Sequence, residues 1–440
     1  MTGSMFRQWF GVGAALVLGA MLGCHASNPP ATPRAAGAPP AALSGADGSI
    51  RTTDASIAMQ NMGVQIAVLN RQATQGTLTV AQRAALAELL SARGQYTGSI
   101  ADRERALAMG EALAREFPAD PIALVARARG RAAFHQFSDA LTDLDAAAVA
   151  GAPAATVENM RAGVLQALGH YDEALVVRRE KAERYPNADT LGALASLEAE
   201  RGEVDSAERL FAAARHEYRD VSPFPLAWLL FDEGAMRMRH GDLEGARALF
   251  AAAHRRLPDF AAAQCHLAEV EAALGRPDRA VALLEPLATT SDDPDAAAQL
   301  ARILMTTGRR AAAARWRAVA AARYEELLAR YPDAYADHGA EFYLTAGEDP
   351  ARALAWAQHN LAVRRTPRAY ELLLASALAA GQAEVACSLQ DRATAAQDHS
   401  PALTDLLART TLECRPGNAA ELRQPADRGW PPIIHARTGA

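Results

Sequence analysis

Apolar positions divide this chain into three unequal stretches. From Trp9 to Leu22 every residue is uncharged and either apolar or glycine. That run is too short to cross a ~30 Å hydrocarbon core as a helix, and has the length of a secretory signal's apolar region. Residues 25–49 then hold almost no large apolar side chain and are rich in proline, alanine, glycine and serine. Such a segment cannot bury enough surface to fold, and predicts an extended tether. Beyond it, apolar and polar positions fall into a recurring unit. It is visible as GHYDEAL at Gly169, GEVDSAE at Gly202, GDLEGAR at Gly241, GRPDRAV at Gly275, GRRAAAA at Gly308, GEDPARA at Gly347 and GQAEVAC at Gly381. HQFSDAL, at His135, is an eighth copy without the glycine.

The steps between copies are 34, 33, 39, 34, 33, 39 and 34 residues. Five places after most of these glycines stands a small residue: Ala140, Ala174, Ala207, Ala246, Ala280, Ala313 and Ala386. The Gly347 copy is out of phase by one, with Ala351 and Ala353 flanking the position. A glycine can end a helix in a left-handed conformation at no Cβ cost, and the alanine lets a second helix approach the first. Phe117-Pro118, Tyr185-Pro186, Leu257-Pro258 and Tyr331-Pro332 close many second helices, since proline lacks the amide and restricts its predecessor. The pattern predicts a stackable two-helix unit, lengthened near 220–225 and 315–330. A weaker copy spans 79–117, a less regular helix 50–75, and a capping helix 401–414.

These units resemble the tetratricopeptide repeat. Leu194-Ala195, Leu267-Ala268 and Leu300-Ala301 occupy that family's large–small pair, Gly234 its small position, and Phe137 and Tyr171 its aromatic after the turn. Arg127 and Arg161 depart from the expected leucine. The resemblance implies an all-α fold, a right-handed superhelical solenoid of tandem helix hairpins over residues 50–397. It further implies an inner groove that binds protein or peptide, lined by Arg129, Asn159, Trp228, Phe231, Glu269, Arg302, Asp337, Glu341, Arg368 and Glu371. Trp228 and Phe231 have two readings, an aromatic hot spot or the packing of a longer connection. Because the groove mixes both charges and lacks lysine, the family's carboxylate-clamp specificity is not carried over.

At the N-terminus, Met21-Leu22-Gly23-Cys24 resembles the lipobox of a bacterial lipoprotein, matching it at the glycine and the cysteine. The resemblance implies a signal peptide over 1–23, cleavage before Cys24, and a diacylglyceryl group with further acylation on that cysteine. Acyl chains anchor a protein stably when two or more are buried. His25, where an aspartate is absent, implies an outer-membrane lipoprotein facing the periplasm of a Gram-negative bacterium.

Composition narrows the chemistry. Half the residues are hydrophobic but only 6% are aromatic, so alanine supplies much of the apolar content and favours close-packed helices. A formal charge of −6 without a basic block argues against a nucleic-acid partner. No phosphate loop, nucleophile elbow, zinc spacing or haem motif occurs, so no catalytic residue, metal or cofactor is expected. His338 and Glu341 share one helix face but lack a partner histidine, and read as solvated. Cys387 and Cys414 fall at one level of the last two helices; a disulfide and two free thiols both remain open, with Cys265 unpaired. Residues 398–414 are expected to cap the array and 415–440 to form an irregular tail. The function expected is a non-catalytic, lipid-anchored scaffold in an envelope assembly; the alternative is an accessory subunit of an envelope enzyme complex.

Overall fold

A computed structural model describes residues 50–394 and 400–414. Cys24, the tether expected before residue 50 and the 415–440 tail lie outside these. The described residues form twenty helices. After α1 (Ala55–Thr74) come hairpins of α2 (Val80–Thr97) with α3 (Ile100–Glu116), α4 (Pro121–Ala133) with α5 (Phe137–Val149), and α6 (Ala154–Leu168) with α7 (Tyr171–Arg184). Next are α8 (Ala188–Glu200) with α9 (Val204–His216), α10 (Pro223–Arg239) with α11 (Leu243–Arg256), and α12 (Ala261–Ala273) with α13 (Pro277–Thr290). The last hairpins are α14 (Asp295–Thr306) with α15 (Arg310–Arg330), α16 (Pro332–Leu344) with α17 (Pro350–Val363), and α18 (Pro367–Ala379) with α19 (Ala383–Thr394). A single helix, α20 (Pro401–Glu413), follows. Among the described residues no helix is long and apolar enough to cross a membrane.

Turn chemistry explains the hairpins. Gly169, Gly202, Gly241, Gly275, Gly308 and Gly381 all have φ between 68° and 88°. His135 adopts the same left-handed conformation at φ 56° without being glycine. In the out-of-phase copy the left-handed residue is Glu348, at φ 53°, one place after Gly347. Counting five from Glu348 reaches Ala353, which is fully buried, whereas Ala351 is exposed. The phase shift seen in the sequence is therefore a displaced turn, with the helix contact kept. Ala140, Ala174, Ala207, Ala246, Ala280 and Ala386 are likewise fully buried between paired helices.

The larger steps lie in α10, of 17 residues, and α15, of 21. Gly234 of α10 sits so close to α11 that a Cβ there would meet the Phe250 ring at 2.9 Å. Arg127 does not weaken its hairpin: its guanidinium forks onto buried Asp143 of α5 at 2.6 and 3.0 Å. Arg161 similarly reaches Asp145. Each arginine that replaces leucine has its carboxylate on the facing helix.

The stack also winds back onto itself. The α2–α3 turn docks on the α13–α14 connection, where Ser291 Oγ donates to the Gly98 carbonyl at 2.7 Å. Asp292 accepts from the Ile100 and Ala101 amides at 2.6 and 3.0 Å, and so caps α3 from a distant hairpin. The α4–α5 turn meets the α15–α16 connection through Phe134 against Tyr331, ring centroids 4.4 Å apart, and through His135 Nδ1 at 3.1 Å from the Asp333 carbonyl. The α6–α7 turn meets the α17–α18 connection, where Arg365 N donates to the Leu168 carbonyl at 3.0 Å. Nearer the N-terminus, Thr53 N donates to the Val221 carbonyl at 2.6 Å and Arg256 to the Ile50 carbonyl at 3.1 Å. Together these contacts make a seam along which the early hairpins rest on the late ones.

Candidate functional site

First helices of successive hairpins place their polar positions side by side, and in the C-terminal half these positions form three neighbouring ion clusters. Glu269 of α12 faces Arg302 of α14 at 3.4 Å and His266 at 3.4 Å. Burial works against its charge, but the nearby His266 and Arg302 outweigh it and hold Glu269 at about 2. Arg368 of α18 bridges Glu341 of α16 at 2.8 Å and buried Glu371 at 2.6 Å. Burial disfavours the Arg368 cation, yet these carboxylates push its pKa higher still.

Between these pairs lies a second node. Asp337 bonds Arg364, whose Nε also donates to Asn360 Oδ1 at 2.9 Å. His338 Nδ1 is 3.0 Å from Asp295, which also accepts from the Tyr324 hydroxyl. Burial opposes charging His338, but Asp295 and Asp337 prevail and lift it to about 10. The side chain keeps 45% of its surface in contact with water. As expected from the sequence, His338 is exposed, and it lies beside two carboxylates, Asp295 and Asp337. His135, driven down to about 3 by burial and Arg364, is by contrast a fixed neutral ring.

The remaining positions behave differently. Arg129 pairs with Glu88 of α2 at 3.2 Å, and Asn159 accepts from Arg178 at 2.7 Å. Trp228 is only 7% exposed and packs against Phe260 and Phe231, with centroids 4.7 and 5.3 Å away. It is a core residue of α10, the helix whose 17 residues lengthen this repeat. Phe231, half-buried, leans on Phe250 and Phe260. Glu371 is 4% exposed and serves Arg368 rather than facing outward. Sequence register missed Asp295, Arg364 and His135, because Arg364 and His135 lie in connections and Asp295 begins its helix. Among the described residues no group of three histidine, cysteine, aspartate or glutamate side chains is placed to hold a metal.

At the C-terminal end, α19 and α20 bring Cys387 and Cys414 into a disulfide, their Cα atoms 5.7 Å apart. Cys265 is free and buried in α12, and burial pushes its thiol well up.

With this architecture the chain is an all-α helical repeat solenoid. The tetratricopeptide-repeat profile matches residues 237–298, the stretch from the end of α10 into α14. No curated protein matches the sequence. Among solved structures, the APC/C hetero-tetramer Cut9–Hcn1 is similar at 14% identity and TM-score 0.41, over 78% of this chain and 68% of that one. A human IFIT1 dimer with PPP-AAAA is similar at 16% identity and TM-score 0.45, over 77% of this chain and 78% of that one. A tetratricopeptide repeat protein from Parabacteroides merdae is similar at 17% identity and TM-score 0.31, over 66% of this chain and 97% of that one.

Proposed function

We propose that this protein is a non-catalytic scaffold that holds a protein or peptide partner against the inner face of its hairpin stack, anchored to the outer membrane through acylated Cys24. One observation carries the scaffold reading: the first helices of α12, α14, α16 and α18 present a preformed polar surface whose side chains are already fixed by one another. A surface ordered in advance loses little entropy on binding, which is where repeat stacks gain affinity for extended partners. The lipobox resemblance and the composition of residues 25–49 support anchoring.

Two experiments test this. A photo-crosslinking side chain at Arg302 should capture a discrete partner in cells, while one at Val176, 69% exposed on α7, should not. Equal capture from both positions would overturn the inner-face reading. Metabolic labelling with a fatty-acid analogue should mark the wild type and be lost in Cys24→Ala; undiminished labelling of the variant would reject the anchor.

A further inference from the structure

Exposed large apolar side chains are scattered singly over the described helices, except on α1. There Ile57, Val64 and Val68 are 51%, 56% and 37% exposed, whereas every other described helix has at most one such residue. Steps of seven and eleven residues from Ile57 put the three on one helix face, which exposed Ala67 widens. The opposite face, with Ala58, Met62, Ile66 and Leu69, is buried in the core. α1 is therefore apolar on two sides, and only one of them is covered.

Charge is arranged around the same face. From Ala55 to Asn70 the helix has no ionisable side chain. Arg71, exposed in the last turn, stands fourteen residues after Ile57 and so shares its face. Arg51 is exposed just ahead of the helix, and exposed Arg105 of α3 donates to Asn70 Oδ1 at 2.5 Å near its other end. None of these three arginines makes an ion pair among the described residues. Asp54, at the start of α1, is occupied in capping it and accepts from the Ser56 amide at 2.9 Å. In a chain of net charge −6, the exposed apolar stripe thus has arginines at both ends.

Three half-exposed aliphatic side chains are too little for a second copy or another protein, since a stable interface takes about 800 Å² from each side. A bilayer surface demands less when the protein is already held beside it, because docking is then intramolecular. Aliphatic side chains facing in and arginines at the edge are also what an anionic lipid surface receives. We infer that α1 lays Ile57, Val64 and Val68 into the interface of an anionic bilayer, with Arg51, Arg71 and Arg105 at the headgroups. The inference rests on the acylation of Cys24 proposed above, which keeps this face within the chain's reach of the membrane. It adds an orientation: the stack stands on its first helix.

The test uses the full-length acylated protein with Ala67→Cys, labelled there with an environment-sensitive fluorophore and reconstituted into vesicles of phosphatidylcholine and phosphatidylglycerol. Cys265 is buried and Cys387 is bonded to Cys414, so the introduced thiol is the one that reacts. Its emission should shift to the blue and be quenched by spin-labelled lipid. The same label at Val176→Cys, 69% exposed on α7, should show neither effect. Val64→Asp should weaken docking about tenfold or more, because a buried valine is lost and a charge enters the interface. Arg71→Glu should weaken it about tenfold on these anionic vesicles. Both positions are exposed, so neither variant disturbs the core. An unshifted label at position 67, with the acylated protein retained by the vesicles, would overturn the docking and leave the anchor standing. A shift that both variants leave unaltered would do the same. A shift without vesicles that grows with protein concentration would assign the face to a second copy and overturn the docking. Failure of the wild type to stay with the vesicles would reject the anchor, and the docking with it.

Discussion

His338, Asp232 and His135 each carry a charge state set by neighbours from other hairpins, and together they shape the pH dependence of stability. His338 rises from 6.5 to about 10 on folding, so its contribution is complete below pH 6.5 and is lost as pH climbs toward 10. Asp232 rises from 3.8 to about 8, so the native state holds a proton that the unfolded chain releases, and stability again falls with rising pH. His135 falls from 6.5 to about 3, so its contribution is lost as pH drops from 6.5 to 3. Melting temperatures should therefore decline from pH 6.5 to 9, and His338→Gln and Asp232→Asn should each flatten that decline. Equal slopes in all three proteins would contradict these assignments. Arg127 gives a second test at this scale. Arg127→Leu should destabilise by about 3 kcal/mol, the lower end for breaking a buried pair, because Arg131 still reaches Asp143 at 3.0 Å. Adding Asp143→Leu should recover much of that loss in chemical denaturation.

At the scale of the element, a hairpin depends on two small residues, one for backbone conformation and one for helix approach. Gly234 is the second kind, and Gly234→Ala should cost about 1–3 kcal/mol, because the added Cβ lands 2.9 Å from the Phe250 ring. Phe250→Leu in the same chain should relieve part of this. Much of each element was legible beforehand. Glycine spacing located the turns, and proline located the helix ends: Phe117, Tyr185, Leu257 and Tyr331 all end their helices with φ between −128° and −142°. These features are local, and local chemistry is what a sequence displays directly. The displaced turn at Glu348 was visible as a phase slip but not as a conformation, since glutamate gives no warning of a positive φ.

For the whole molecule, the seam is the new element, and two chemically equivalent glycines separate it from turn strain. Gly169 and Gly275 both have positive φ, at 88° and 76°, so alanine strains either turn by roughly 1 kcal/mol. Only at Gly169 would a Cβ also meet the Arg365 carbonyl, at 2.6 Å, while at Gly275 nothing lies within 4 Å. Gly169→Ala should therefore lower the melting temperature clearly more than Gly275→Ala, and should speed hydrogen exchange at the Arg365 amide. Equal effects would mean that the seam adds nothing to stability.

By itself the sequence determined the repeat, its period, its turns and the pairing of helices within each hairpin, because all of these follow from residues within about one repeat of each other. It also named most of the polar positions on the first helices. Only the tertiary structure decided what those positions do. Trp228 turned inward because Tyr96, from the other end of the stack, arrives to pack on it, with centroids 6.3 Å apart. The charged positions neutralise one another through Asp295 and Arg364, which repeat register does not mark. How far each hairpin rotates on the last is a small angle summed over many repeats. That sum alone brings Asp292 to the amides of Ile100 and Ala101.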